Sequence, residues 1–320
     1  MLEPIRLPAN QPPARFYRGG ERIAAFRGDP PAAPNTPEDW VGSTTGVRGH
    51  APIGLTRLPD GTILADAVAA DPAGWLGADH LAAFGVDTKL LVKLLDPGQR
   101  LPIHAHPHHD FAADHLGETH GKAEAWYILA PGTVYLGLRD DLDPAALADL
   151  VATQQTERML SLMHEVPVFA GDSVYVPPGV LHAIGEGVLL AEVQEPTDLS
   201  ILLEWQGFDV DGSLDGHLDL GFDLALQAVE TEGRSADAVA GLIVRAAGEG
   251  SALVVVTRRT TSSRLSTLGR ERVRLADETS STGLSARIRS LIRNLNHCTS
   301  AERRRCSVAG DMARRVRSAK

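Results

Sequence analysis

The feature that most constrains the fold is a series of short apolar runs, separated by turn residues, that begins near residue 88. Runs such as "KLLVKLLD", "EAWYIL", "TVYLGL" and "VLLAEVQ" have the length of strands, and "DPGQ" and "APG" carry the residues that tight turns favour. This spacing predicts an all-β sandwich or barrel. The first 50 residues, which are rich in Pro and Gly, are predicted to be extended segments laid over that core.

One helix is predicted to interrupt the strands, over residues 143–163. Asp143 stands at a favourable N-cap position, Pro144 suits the first helical position, and Leu and Val residues follow at helical spacing. We interpret this segment as a helical insertion that covers one open end of the β-structure. A second helical segment, around residues 223–230, is predicted to close the acidic part of the chain.

Composition limits the possible classes of protein. Of the 320 residues, 43% are hydrophobic and 22% charged, which is typical of a soluble globular protein. Only two cysteines occur, Cys298 and Cys306, so neither a disulfide framework nor a cysteine-based zinc site is expected. The N-terminal stretch lacks the apolar segment of a signal peptide, and no apolar run approaches the roughly 20 residues of a membrane span. We therefore expect a cytoplasmic protein with no membrane partner.

The charge divides the chain into two parts. Residues 1–233 hold 13 Lys and Arg against 34 Asp and Glu, whereas residues 234–320 hold 18 against 7. The acidic part argues against nucleic-acid binding by the body of the protein. Three interpretations of the Arg/Ser-rich part stay open: a solvated, disordered tail, a nucleic-acid-binding tail, or a degraded second β-domain whose sequence departs from the ancestral reading frame. Base stacking would need aromatic residues, and this part has none.

Histidines are concentrated in one short stretch, since six of the twelve lie within residues 101–129. On a strand, residues i and i+2 face the same side, so His104 and His106 are predicted to project together. Glu124, on the next strand, would face the same interior if the two strands are neighbours. The remaining histidines of the stretch are interpreted as largely solvated loop residues: His108, His109, His115 and His120.

The segment "GDSVYVPPGVLH" (171–182) supplies another candidate ligand. Gly171 predicts a turn, a strand follows, and Pro177 and Gly179 predict a tight bend that returns His182 to the barrel interior. Each of these features alone is more often structural than functional. Together, three imidazoles and a carboxylate predict a site for a metal such as Zn, Fe, Mn or Ni, with a position left open for water or substrate.

These residues also carry a resemblance. A strand with H-x-H, a later Glu, and "G-x5-P-x-G-x2-H" resemble the metal-binding motifs of the cupin superfamily. More narrowly, "KLLDPGQRLPIHAHP", "GKAEAWYIL", "GDSVYVPPGVLHAIGEG" and "LAEVQEPTD" resemble the type I, zinc-dependent phosphomannose isomerases. The resemblance covers roughly residues 15–210. It implies a cupin β-jelly-roll barrel as the domain of residues 1–233, and the interconversion of mannose 6-phosphate and fructose 6-phosphate.

The resemblance also implies roles for individual residues. It implies that Lys122 and Glu192 belong to the active site, and that a divalent metal, most simply Zn²⁺, is held by His104, His106, Glu124 and His182. Two positions depart from the family pattern. His104 stands where a Gln is usual, which keeps a neutral donor, and Leu202 stands where the family has an arginine. No arginine lies anywhere between residues 159 and 233.

Aldose–ketose isomerisation needs an electrophile that stabilises developing oxyanion charge, and a base of suitable pKa. A metal would supply the first and Glu192 the second, while Lys122 would donate to an oxygen or attract the phosphate. Structural interpretations of both residues stay open: a surface lysine that neutralises Glu118 or Glu124, and a buried structural carboxylate.

Two other functions are compatible with the same residues. One is a cupin isomerase acting on another sugar, including an unphosphorylated one. The other is a non-catalytic, metal-containing sugar-binding or regulatory cupin. Turnover on a panel of sugars separates them.

Overall fold

The structure, a computed structural model, describes residues 5–30 and 33–247. Residues 5–23 and 33–247 form one compact unit, to which all the strands and the candidate site belong. Residues 248–320, which make up most of the predicted basic part, lie outside the described residues. Within the described ranges, no helix has both the length and the apolar character needed to cross a bilayer.

The described part of the chain contains two antiparallel sheets. The strands are, in chain order, β1 (Glu38–Val41), β2 (Leu91–Leu95), β3 (His104–Ala105), β4 (Glu124–Ala130), β5 (Gly132–Leu138), β6 (Met163–Val168), β7 (Ser173–Val176), β8 (His182–Ile184), β9 (Leu189–Gln194), β10 (Ile201–Leu202) and β11 (Ile243–Val244). The first sheet has the order β1-β2-β9-β4-β7-β11 and the second the order β10-β3-β8-β5-β6. The predicted β-rich, cupin-like fold is confirmed.

The two sheets pack against each other through one face of each. Alternation along β4 turns Trp126 and Ile128 to the same side, and both are fully buried. They belong to one apolar cluster that takes residues from both sheets, among them Val174, Leu190, Val134, Leu136, Val168 and Ile184. Burying each such side chain contributes about 1.5–3 kcal/mol, so this face-to-face core holds the sheets together.

Among the described helices, α1 precedes the strands and the others lie between them. They are α1 (Glu21–Arg27), α2 (Leu64–Ala70), α3 (Pro72–Leu76), α4 (Ala78–Phe84), α5 (His109–Leu116), α6 (Pro144–Ala152), α7 (Thr156–Leu162), α8 (Gly212–Asp215), α9 (Phe222–Ala225) and α10 (Ala236–Ala240). The N-terminal segments that were predicted to be extended contain α1 and β1 between turns and coil. Helix α9 continues into a 3-10 turn at Leu226–Ala228, within the predicted second helical segment.

The predicted helical insertion is present, but it consists of two helices instead of one. Asp143 caps α6 as expected, because its Oδ1 accepts hydrogen bonds from the backbone N–H groups of the first turn, and Pro144 is the first helical residue. The break occurs at Gln154, whose φ of 49° is left-handed. Its side chain donates to the carbonyl of Leu203 at 3.1 Å and accepts from the N–H of Trp205 at 2.8 Å. These bonds tie the turn to the chain that follows β10.

The described fold continues past residue 233. Helix α10 is capped by Ser235, whose hydroxyl accepts from the N–H of Ala238. Strand β11 then pairs with β7, with Ile243 opposite Val174, and forms the edge of the first sheet. The domain boundary at residue 233 stays a prediction.

Candidate active site

A row of side chains crosses the inner face of the first sheet. Trp40, Lys93, Glu192 and Trp126 stand opposite one another, in that order, across β1, β2, β9 and β4. Paired residues of neighbouring strands project to the same face, so a lysine and a glutamate lie side by side between two tryptophan rings. Glu124 precedes Trp126 by two residues and faces the same side. All five side chains are buried.

The second sheet contributes the histidines. His104 on β3 is paired with His182 on β8, and the centroids of the two rings are 4.1 Å apart. The ring of His106 lies 5.0 Å from that of His104 and 4.8 Å from that of His182. The predicted bend before His182 is bonded to the strand segment of His106. Gly179 adopts a φ of +83° and donates its N–H to the carbonyl of His106 at 2.7 Å.

Glu124 reaches the histidines from the opposite sheet. Its Oε2 is 3.0 Å from Nε2 of His106, and its Oε1 is 3.3 Å from Nε2 of His182. Trp126 holds the carboxylate in place, since its Nε1 donates to Oε1 at 3.1 Å. The structure therefore brings together all four residues that the sequence proposed as metal ligands.

Backbone carbonyls fix the tautomer of the three histidines. Each Nδ1 lies 2.7–2.8 Å from a carbonyl oxygen, and the acceptors belong to Pro102, Leu199 and Val180. A carbonyl can only accept, so each Nδ1 carries a proton, and Nε2 of a neutral ring then presents a lone pair. Burial, followed by the neighbouring His182, lowers the pKa of His104 well below its ordinary value. Burial, followed by the charge of Lys122, lowers the pKa of His106 to about 3. Both rings are neutral near pH 7.

The site therefore fits a metal ion. Among the described residues, Nε2 of His106, Nε2 of His182 and Oε2 of Glu124 are buried and have no hydrogen-bond partner. Ligand atoms of the three histidines lie within 4.8 Å of one another. Electron-rich atoms that face each other in a dry interior repel, and leaving them unsatisfied is costly. A cation at their centre would remove both penalties, and neutral imidazole and carboxylate are donors that metals use.

Lys122 and Glu192, the predicted catalytic residues, lie beside this cluster. Lys122 is buried and not a surface residue, with its Nζ 3.8 Å from Oε2 of Glu124. Burial, followed by the charge of Lys93, lowers its pKa. Burial, followed by the charge of Glu124, raises the pKa of Glu192 to about 7. Oε1 of Glu192 is buried without a hydrogen-bond partner in the described chain, and Nζ of Lys93 is 3.8 Å away.

A second group of polar residues, centred on Glu38, was not predicted from the sequence. The carboxylate of Glu38 accepts from Nε of Arg15 at 2.9 Å, from the hydroxyl of Tyr17 at 2.8 Å and from Nε1 of Trp40 at 2.7 Å. Nζ of Lys93 is 3.6 Å from Oε2, the oxygen that accepts from Trp40. Lys93 could have been found, because it is a charged residue in the middle of the apolar run "KLLVKLLD". Arg15 and Glu38 carried no such signal.

A cleft that is open to solvent connects the two groups. Its walls include Arg15, Lys93, His104, Lys122, Glu124, Glu192, Asp198 and Leu202. Leu202, which stands where the resemblance implies an arginine, is buried and presents an apolar side chain to the cleft wall.

The interpretation of four histidines as solvated is wrong for one of them. His108, His109 and His115 are exposed, and α5 begins at His109. His120 is buried: its Nε2 is 2.5 Å from Oδ2 of Asp87, and its Nδ1 is 3.5 Å from Oε1 of Glu195. Nothing in the sequence of the loop indicated these partners, because they come from distant segments.

His120 is expected to make stability depend on pH. The hydrogen bond with Glu195, followed by that with Asp87, raises its pKa. A raised pKa stabilises the fold fully below the ordinary value for histidine, and this contribution is lost as the pH rises through the raised value. In His120→Gln, the free energy of unfolding should fall by about 1–2 kcal/mol near pH 5.5, and by less near pH 9. Chemical denaturation at several pH values measures this, with the exposed His115→Gln as control. A deficit that does not change with pH would contradict the expectation.

Known proteins resemble this chain in sequence. No protein-family model matches it. It is 29% identical over 204 residues to the mannose-6-phosphate isomerase of Streptococcus mutans, a match that covers 62% of this chain and 59% of that protein. It is 31% identical over 132 residues to a mannose-6-phosphate isomerase of Bacillus subtilis, covering 39% and 40% respectively. The chain thus matches less than two thirds of the length of either relative.

Solved structures share the fold. The Bacillus subtilis mannose 6-phosphate isomerase matches with a TM-score of 0.54 at 23% identity, covering 72% of this chain and 69% of that one. The apo form of the Salmonella typhimurium enzyme matches with a TM-score of 0.53 at 15% identity, covering 75% and 77%. Two facing antiparallel sheets with histidines between them define a β-rich, cupin-like protein. More particularly, the fold is that of the phosphomannose isomerases, and the resemblance to their type I family is confirmed.

Proposed function

We propose that this protein is a metal-dependent sugar-phosphate isomerase that interconverts mannose 6-phosphate and fructose 6-phosphate. The observation that carries the proposal is the position of Glu192, a carboxylate with a pKa of about 7, beside a buried cluster of metal-type donors in an open cleft. A base whose pKa lies near the operating pH is the most effective for proton abstraction beside a carbonyl. The mannose-6-phosphate isomerases named above support the choice of substrate.

The proposed ligands of a divalent ion, most simply Zn²⁺, are His104, His106, Glu124 and His182. When bound, such an ion supplies Lewis-acid polarisation of the carbonyl and hydroxyl oxygens of the substrate. The preset Nδ1 tautomers orient the histidines for this role, and the carboxylate balances part of the added charge. The His104 donor in place of glutamine keeps the set neutral apart from Glu124.

The chain's own residues then carry the proton transfers. Glu192 takes the proton from C2 of the open-chain aldose, the C–H electron pair forms the C1–C2 double bond, and O1 takes up negative charge. Lys122 donates to the oxygen on which this charge develops. Collapse of the enediol intermediate makes the C2 carbonyl, C1 receives the proton from Glu192, and the hydroxyl proton passes from O2 to O1. The same two carbons thus exchange oxidation states without an external redox partner.

One observation favours a second candidate, an isomerase of the same scaffold for an unphosphorylated sugar. Leu202 places an apolar side chain on the cleft wall where the resemblance implies a cation. A cupin that binds sugar without turning it over is the remaining candidate. A panel of phosphorylated and free sugars distinguishes the three, because each predicts a different pattern of turnover and binding.

The first test is isomerisation of mannose 6-phosphate by metal-loaded protein. We expect turnover that a chelator abolishes and added metal restores, and we expect His106→Ala to lose both metal and turnover, since one of the proposed donors is missing. Metal content is measured by mass spectrometry on the same samples whose isomerisation rate is assayed. Folded, metal-loaded protein that turns over no mannose 6-phosphate would contradict the proposal.

A further inference from the structure

The cations of the cleft are not equivalent in what they contact. Lys93 is enclosed, with its Nζ 3.6 Å from Glu38, 3.8 Å from Glu192 and 4.4 Å from the centroid of the Trp40 ring. Lys122 lies 3.8 Å from Glu124, at the end of the cleft where the histidines converge. Both ammonium groups therefore belong to the reacting end proposed above.

Arg15 differs from both lysines. Its Nε donates to Glu38 at 2.9 Å, which fixes the plane of the guanidinium, while its side chain stays 13% exposed on the cleft. Its two terminal nitrogens have no hydrogen-bond partner among the described residues. A guanidinium held by Nε still offers four N–H donors in a flat fork, which matches two oxygens of a phosphate group.

Arg15 keeps donors available to an anion. Glu38 accepts from its Nε, whereas Lys93 lies between the carboxylates of Glu38 and Glu192. Asp198 also lines the cleft and places a second negative charge near the guanidinium. Ion pairs connect Arg15 through Glu38 and Lys93 to Glu192, which separates the guanidinium from the proposed base by one carboxylate and one ammonium.

We propose that Arg15 binds the phosphate of the substrate, and that it supplies from the N-terminal segment the cation that Leu202 does not. A hexose phosphate carries its reacting carbons at one end and its anion at the other, as this cleft carries Glu192 and Arg15. The inference rests on the proposed function, since it assigns a sugar phosphate to the same cleft. If Arg15 binds a phosphate, the cleft is expected to prefer a sugar phosphate over the free sugar.

The test compares two ligands that cannot react, mannitol 1-phosphate and mannitol, by calorimetric titration of the metal-loaded full chain. The variants are Arg15→Gln, which keeps a donor for Glu38, and Arg15→Lys, which keeps the charge and protects the fold. The control is Arg18→Gln, because Arg18 is an exposed arginine three residues away. We expect the phosphorylated ligand to bind the native protein at least about tenfold more tightly than mannitol, ~1.4 kcal/mol.

Arg15→Gln should abolish this preference, and the control Arg18→Gln should retain it. Arg15→Lys should reduce it, because a lysine cannot both contact Glu38 and present a flat fork of donors. An unchanged preference in folded Arg15→Gln or Arg15→Lys, or no preference in the native protein, would overturn the inference. The turnover assay tests the proposed function separately. If the native protein binds mannitol 1-phosphate through Arg15 but does not isomerise mannose 6-phosphate, the proposed function is refuted and the assignment of the phosphate site is retained.

Discussion

Replacing Glu192 by glutamine is expected to lower the turnover of mannose 6-phosphate by about 10²–10⁴-fold while the bound metal stays unchanged. The amide has nearly the shape of the carboxylate but cannot accept the C2 proton. Glu192 makes none of the contacts that join Glu124 to the histidines, so the metal should remain. Steady-state kinetics gives the turnover, and mass spectrometry gives the metal content of the same samples.

The matched control for this variant is Glu186→Gln, which removes an exposed carboxylate from the turn before β9. It should behave like the native protein. If Glu192→Gln kept turnover within about threefold of the native value, another group would have to be the base. If it lost the metal as well, Glu192 would act on the metal and not on the proton.

Replacing Glu38 by alanine is expected to lower the free energy of unfolding by about 3–5 kcal/mol. Burial alone would raise the pKa of Glu38, but Arg15 and Lys93 outweigh it and hold the pKa well below its usual range. The carboxylate therefore stays charged. Its removal leaves Arg15 and the hydroxyl of Tyr17 without their acceptor, and it removes the nearer of the two carboxylates that face Lys93. Denaturation in guanidinium chloride, followed by circular dichroism, measures the change.

An exposed glutamate provides the comparison, since Glu232→Ala should change the free energy of unfolding by less than about 0.5 kcal/mol. Glu38→Gln should be less damaging than Glu38→Ala, because the amide oxygen can still accept from Tyr17 or Trp40. Equal stability of Glu38→Ala and the native protein would show that water replaces the carboxylate, and that Glu38 does not organise the cleft.

The proposed metal ligands could be found from the sequence because each lies in a short segment with its own local rule. Alternation places His104 and His106 together, and the Pro177–Gly179 bend returns His182 to the interior. Glu124 was predicted on the assumption that its strand is a neighbour of the histidine strand, and this assumption is wrong. Strands β3 and β4 belong to different sheets, and Glu124 reaches the histidines from the opposite sheet.

Local rules failed where a residue depends on partners that are remote in the chain. Glu38 reaches the cleft because β1 pairs with β2, a contact between segments more than fifty residues apart. His120 is buried because Asp87 and Glu195 close over it. The helix predicted over 143–163 was divided for the same reason, since Gln154 bonds to the chain near Leu203. No window of neighbouring residues contains such information.

The sequence by itself determined the β-rich fold, the four proposed metal ligands and the resemblance to the type I phosphomannose isomerases, because period-two alternation, turn chemistry and motif spacing act within short segments. Only the tertiary structure decided which charges share the cleft. Strand pairing places Lys93 beside Glu192, and Glu38 holds Arg15 at the other end. The physical reason is that burial and charge compensation depend on distance in space, which the order of residues along the chain does not specify.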